Sequence, residues 1–291
     1  MRIFAADIGG TKIKYCISNE EGIFEAYHEI DTESQKGGPY IIRKLEDVIS
    51  AHPSIDAISI STAGQVDSEK GSIIFANDNI PNYTGTNIKD LLEDRFQVPV
   101  KVENDVNAAA LGEKFFGDVR QYSNFLFLTF GTGIGGAIII DSKLYKGAQG
   151  IAGEFGHMMT HPNGLPCNCG KYGCYECYAS TTALVNAALK IDSECVNGRI
   201  IFEKIHMKDK KILSIFDAWT YEAAIGIANL IHLFNPNAVV IGGGIMEQNL
   251  SVKMVSEKVK ALILKSFSEV RLLKSRLGNK AGLYGGIALQ L

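Results

Sequence analysis

His157, Cys167, Cys169 and Cys174 follow the spacing H-x9-C-x-C-x4-C. One imidazole and three thiols so arranged suit tetrahedral Zn²⁺, and four protein ligands leave no position open for reaction, so the site is expected to be structural. Gly170 and Gly173 supply the turns that bring close cysteines onto one ion. Cys177 lies just beyond the knot, where a helix is expected to begin, and is read as a buried spectator. Cys16 and Cys195 stand alone in the chain. This clustering points to metal binding rather than to a disulfide framework.

Two glycine runs carry a second chemistry. Asp7-Ile8-Gly9-Gly10-Thr11-Lys12 lies between two strand-like segments, and residues 125–130 feed Gly131-Thr132-Gly133-Ile134-Gly135-Gly136. The second run matches G-x-G-x-x-G, but a dinucleotide fingerprint needs a helix to start at the glycines. Residues 137–140 instead read as another strand, and no G-x-x-x-x-G-K-[ST] motif occurs. Each run is therefore expected to be a hairpin whose backbone N–H groups can crowd an anion, with Asp7 placed to hold Mg²⁺ directly or through water. Plain glycine hairpins are the competing reading. Gly242-Gly243-Gly244 follow a short buried strand and would let a flat group such as adenine with its ribose approach closely; an ordinary glycine-rich turn is the alternative.

Asn104-Asp105 sits where a strand ends and an alanine-rich helix begins. A carboxylate there can serve as general base for a hydroxyl nucleophile, or it can cap the helix. Gly64-Gln65 lies in a loop at a strand's carboxyl end, where α/β sheets favour ligands.

The elements that must hold these groups are legible from periodicity. Strands are expected near residues 2–8, 13–17, 23–30, 57–61, 100–102, 125–130, 137–140 and 238–241. Helices are expected near 40–51, 87–96, 105–113, 180–189, 214–234, 252–264 and 280–291. At 291 residues the chain exceeds a comfortable single core, so two α/β lobes are expected: residues 1–117 with 280–291, and 118–279. The echo between the glycine hairpins hints at duplication. Apolar content of 46% and charged content of 21% describe an ordinary globular protein. A formal charge of −3 gives no general attraction to nucleic acid or anionic membrane. No apolar run approaches the ~20 residues of a membrane span, and residue 1 leads straight into a strand, so a cytoplasmic protein without signal peptide is expected.

Taken together, Asp7-Ile-Gly-Gly-Thr11, Glu103-Asn-Asp105, the run 128–136, Glu154-Phe-Gly-His157 and Cys167-x-Cys-Gly-x-x-Gly-Cys174-x-Glu176 resemble the ROK family (repressors, open reading frames, kinases) over nearly the whole chain. The resemblance implies an α/β, two-lobed, actin-like ATPase (ribonuclease H-like) fold whose lobes close over ATP and a sugar. It implies Asp105 as the base that deprotonates a sugar hydroxyl, usually O6. The sugar set would be Gly64, Gln65, Asn104, Asp105, Glu154, His157 and Glu176. His157 would also serve the zinc. Asp7 would organise Mg²⁺, Gly9, Gly10, Thr11, Lys12, Gly131, Thr132 and Gly133 would hold phosphates, and Gly242, Gly243 and Gly244 would face adenosine. A homodimer is implied as well.

Two segments depart from the family pattern. Ser61-Thr62-Ala63-Gly64 lacks the usual proline, and Ile80-Pro81-Asn82-Tyr83-Thr84-Gly85 replaces a Pro-Asn-Leu-Pro-Gly-Trp loop. Glucose, an N-acylmannosamine and a β-glucoside all stay open as substrates. A sugar-responsive repressor would carry a helix-turn-helix ahead of the first glycine hairpin, and the six residues before Asp7 provide none. A silent sugar sensor is the other rival, and the intact Asn104-Asp105 pair speaks against it.

Overall fold

A computed structural model describes residues 1–291. Strands β1 (Ile3–Ile8), β2 (Lys12–Ser18) and β3 (Phe24–Asp31) form an antiparallel meander. Helix α1 (Gly38–Ser50) leads to β4 (Ala57–Thr62), the small hairpin β5 (Gln65–Asp67) and β6 (Ser72–Phe75), α2 (Ile88–Phe96) and β7 (Val100–Asn104). The sheet order is β3-β2-β1-β4-β7, with β1, β4 and β7 parallel. Every residue of β4 is buried, as expected for a central parallel strand covered on both faces. On α1, Ile41, Leu45 and Ile49 recur every four residues and are buried with Ile42. This is the apolar stripe that seats a helix on a sheet. Each such side chain contributes about 1.5–3 kcal/mol on burial.

Helix α3 (Asp105–Phe116) follows β7 directly, and β8 (Phe125–Phe130), β9 (Ile134–Ile140) and β10 (Lys143–Leu144) form a second meander. Then come α4 (Glu176–Ala179), α5 (Thr181–Leu189), α6 (Gly198–His206), α7 (Lys210–Phe234), β11 (Ala238–Gly242), α8 (Asn249–Leu262), β12 (Arg271–Lys274) and α9 (Ala281–Leu289). The second sheet has the order β10-β9-β8-β11-β12, with β8, β11 and β12 parallel.

The chain divides into two compact units, Met1–Gln121 with Leu144–Ala152 and Asn279–Leu291, and Tyr122–Lys143 with Gly153–Gly278. The segment Leu144–Ala152, expected in the second lobe, lies in the first unit, where Lys146 pairs with Glu103 and donates to Ser68 Oγ. The C-terminal α9 packs on α3 at very short range. A Cβ on Gly285 would lie 1.8 Å from the Ala108 carbonyl oxygen, and one on Gly112 would lie 2.5 Å from that of Ala281. Glycine at both positions is what lets the two backbones meet.

Expected boundaries hold to within a few residues. The largest shift is at α7, which starts four residues before the expected Ser214 because Asp209 accepts from the N–H groups of Lys211 and Ile212 and caps it. Helix α6 and the strands β5, β6, β10 and β12 were not anticipated, and Gln65, expected in a loop, opens the β5–β6 hairpin. Asn197 caps α6 through the Ile200 N–H, while β12 is a four-residue edge strand whose parallel pairing to β11 is entirely non-local.

Candidate functional site

The junction of β7 and α3 is built by a cap. Asn104 Oδ1 accepts from the N–H groups of Val106 and Asn107 at 3.0 and 3.1 Å, the N-cap geometry that satisfies two orphan donors. Its Nδ2 donates to the Gly64 carbonyl at 3.0 Å and to Asp105 Oδ1 at 2.9 Å. The capping role open for Asp105 thus falls to its neighbour. Asp105 Oδ1 also accepts from the Val106 N–H at 2.9 Å, and Oδ2 makes no protein hydrogen bond. Burial, with the Asp7 carboxylate nearby, pushes Asp105 up to about 7. This lies well above the ordinary carboxylate range, because the capped junction buries the group beside a second acid.

Asp7, next to last in β1, accepts from Ser61 Oγ at 2.8 Å and lies 3.9 Å from Lys14 Nζ. Burial raises its pKa, while Ser61 and Lys14 pull it back. The first turn of α9 presses on it so closely that a Cβ on Gly282 would sit 2.7 Å from the carboxyl carbon. Lys14 was missed in the sequence, although counting back across the Gly9-Gly10 turn pairs it with Asp7. Lys12, expected at phosphate, is 2.6 Å from Asp31 and exposed. Gly9 closes the hairpin on the Lys12 carbonyl at 3.0 Å, and Thr32 Oγ1 ties the Gly9 carbonyl at 2.7 Å. Gly10 opens on free space, and Thr11 is exposed.

In the second unit, Gly131, Thr132 and Gly244 line a cavity of about 570 Å³, within the range of small-molecule sites. Thr181, Asn197, Arg199, Phe202 and Gln248 share its wall and were not anticipated; three of them lie on α5 and α6. A Cβ on Gly131 or Gly244 would meet nothing within 4 Å. Gly242 and Gly243 differ from Gly244. Gly242 packs on Ser275, and Gly243, at φ +95°, lets its backbone approach Phe130, whose carbonyl oxygen would be 2.3 Å from an added Cβ. Only Gly244 of the three lines the cavity. Gly133 also faces elsewhere, toward Glu176 Oε2.

The Cys₃His set converges. One donor atom from each of His157, Cys167, Cys169 and Cys174 lies within 4.8 Å of every other. Cys169 and Cys174 Sγ are 3.6 Å apart, and Cys167 Sγ is 3.8 Å from His157 Nδ1. Tetrahedral Zn–S bonds of ~2.3 Å require sulfurs about 3.8 Å apart, so these residues fit zinc. Gly173, at φ +77°, allows the backbone to pass the His161 carbonyl, where a Cβ would lie 1.8 Å from the oxygen. Burial pushes the Cys167 and Cys174 thiols up, whereas the Lys171 N–H draws Cys169 down. Cys177 stays outside the set, as expected, but is only half-buried rather than buried, because its thiol lies near the surface, donating to the Pro166 carbonyl at 3.6 Å.

Two carboxylates flank the knot. Glu176 Oε1 accepts from Cys167 Sγ at 3.2 Å, and Oε2 from the Ile134 N–H at 3.4 Å. Glu154 Oε2 lies 4.0 Å from His157 Nε2. His157 therefore turns Nδ1 to the thiols and Nε2 to Glu154, and Glu154, His157 and Glu176 form one polar group.

The ROK family model matches residues 3–291. A glucokinase of Thermotoga maritima is 32% identical over 99% of this chain and 97% of its own length. A xylose repressor of Bacillus subtilis is 30% identical over 96% of this chain and 74% of its own. Among solved structures, a ROK family glucokinase from Streptomyces griseus, in complex with glucose and AMPPNP, superposes with a TM-score of 0.87 at 33% identity, covering 99% of both chains. The two-sheet architecture is thus the actin-like ATPase fold of these kinases, and the chain belongs to the ROK family.

Proposed function

We propose that this protein is an ATP-dependent sugar kinase, transferring the γ-phosphoryl group to a hydroxyl, O6, of a hexose or N-acylhexosamine such as glucose or N-acetylmannosamine. The observation that carries the reading is Asp105: a carboxyl group fixed by the cap beside it, with one oxygen free and its pKa near 7. A base is most effective when its pKa lies near the working pH. Asp105 takes the proton of the attacking hydroxyl as the oxygen–phosphorus bond forms and the bond from the γ-phosphorus to the bridging oxygen breaks, leaving ADP and the sugar phosphate. Such transfer depends chiefly on in-line positioning and charge neutralisation.

Glu154, His157 and Glu176 orient the sugar, together with Gly64 and Gln65. Asn104 reaches the sugar by exchanging one of the bonds its amide now makes. Gly10, Thr11 and Thr132 take the phosphates, with Lys12 on release from Asp31, while Gly9, Gly131 and Gly133 shape the turns, the N–H groups of Gly9 and Gly131 being bonded to the Lys12 and Gly133 carbonyls. Asp7 is the residue that would hold Mg²⁺, which supplies charge neutralisation on the phosphates. His157, Cys167, Cys169 and Cys174 would hold Zn²⁺, whose part is to fix the imidazole that orients the substrate. The kinase relatives and the glucose–AMPPNP complex of the Streptomyces griseus enzyme support the reading.

A regulator that senses sugar without turnover is the second reading, favoured by the repressor relatives. Purified protein offered ATP, Mg²⁺ and glucose, N-acetylmannosamine, N-acetylglucosamine, mannose, fructose or cellobiose separates the two. ADP release dependent on one sugar supports the kinase, and no release with any of them, alongside measurable sugar binding, supports the sensor.

A further inference from the structure

Glu103 stands two residues before Asp105 with its side chain 1% exposed. Its Oε1 accepts from the Asn104 N–H at 3.0 Å and from Asn107 Nδ2 at 3.1 Å, so it clamps the strand–helix junction from behind. Its Oε2 is buried and accepts no hydrogen bond. The charge facing that oxygen is Lys146 Nζ, 2.9 Å away. The same ammonium donates to Ser68 Oγ, in the turn of the β5–β6 hairpin whose first strand begins at Gln65. Lys146 belongs to the strap Leu144–Ala152 of the first unit. That strap closes on itself where the Ala152 N–H meets the Lys146 carbonyl at 3.0 Å.

We propose that Lys146 is a positioning residue: one cation, delivered by the strap, joins the junction that carries Asp105 to the hairpin that carries Gln65. A buried carboxylate left without its counter-charge is costly, so the pair keeps the strap seated and the junction fixed. Lys146 does not line the 570 Å³ cavity, and its side-chain partners, Glu103 and Ser68, lie on the sugar side. The inference rests on the reading of Asp105 as base and of Gly64–Gln65 as part of the sugar site.

The test is steady-state kinetics on the full chain with Lys146→Met, Lys146→Arg, Glu103→Gln and the double variant Glu103→Gln/Lys146→Met, beside Asp105→Asn. Lys146→Met is expected to lower kcat by about 10²-fold, the scale of a misplaced reacting group. The sugar KM should rise while the ATP KM stays within about twofold. Lys146→Arg restores most of the loss. Because Lys146→Met alone leaves a buried charge that can impair folding, the double variant, which removes that charge, keeps the question open to measurement. The two single losses should fail to multiply in it, as for groups acting through one contact. Losses that multiply, or a Lys146→Met enzyme with wild-type kcat and sugar KM, overturn the proposal. If Asp105→Asn itself turns over normally, the reading of the base fails instead, whatever Lys146 does.

Discussion

The two glycine hairpins are built on one frame and differ in charge. Asp7 is next to last in β1, pairs with Lys14 on the antiparallel strand and with Ser61 on the parallel one. The matching position in the second sheet is Thr129, next to last in β8, paired with Gly135 and Gly242. Register and strand order repeat, while a carboxylate, an ammonium and a hydroxyl are replaced by one hydroxyl and two glycines. The difference teaches that the frame supplies only a turn open to a ligand, and the residues at its root decide the chemistry. The first hairpin has ionisable groups at its root, whereas the second, whose Gly131 and Thr132 line the cavity, has none.

The largest expected effect breaks the charged side outright. Asp105→Asn should keep the fold and lose roughly 10²–10⁴-fold in kcat, read in a coupled ADP assay. Its pH dependence has a definite sign. Because the folded-state value is raised to about 7, the base is ionised above that pH. Turnover with the preferred sugar should therefore fall as pH drops through about 7. The same shift destabilises the fold as pH rises from the ordinary carboxylate range through about 7, since the folded state there holds the proton more tightly than the unfolded chain. Asp105→Asn should accordingly raise Tm relative to wild type at pH 8 and not at pH 4. A profile flat from pH 6 to 8 would remove Asp105 from its role.

Asp7→Asn should come next, raising the Mg²⁺ concentration needed for half-maximal rate by about 10-fold or more, whereas Thr129→Ala should leave that requirement unchanged. Equal effects at the two positions would erase the contrast between the hairpins. Cys169→Ser should lower bound zinc, measured by elemental analysis, below one per chain and reduce Tm, because a structural zinc contributes directly to folding. A variant with undiminished zinc would show that the three thiols do not share an ion. The smallest effect is expected from Gly131→Ala. An added methyl meets no protein atom, so the unfolding free energy should change by no more than the ~1 kcal/mol typical of a glycine change, while the ATP KM rises several-fold. An unchanged ATP KM would separate the cavity from the nucleotide.

Much of this molecule is local in origin and could be read from the chain. The spacing of His157, Cys167, Cys169 and Cys174 permits one ion whatever surrounds it, and the glycine pairs between apolar alternations specify hairpins. The stripe Ile41, Leu45, Ile49 specifies a helix on a sheet. Tertiary structure decided what sequence spacing does not encode. It gave the helix cap to Asn104 and thereby freed Asp105, whose altered ionisation arises from burial and from Asp7, nearly a hundred residues away. It drew Lys12 onto Asp31, and it left one glycine of the 242–244 run lining a cavity while the other two serve packing. It also seated Lys146 against Glu103. Ligand spacing and turn propensity are properties of neighbours along the chain; charge environment and packing belong to neighbours in space, and those exist only once the sheets have assembled.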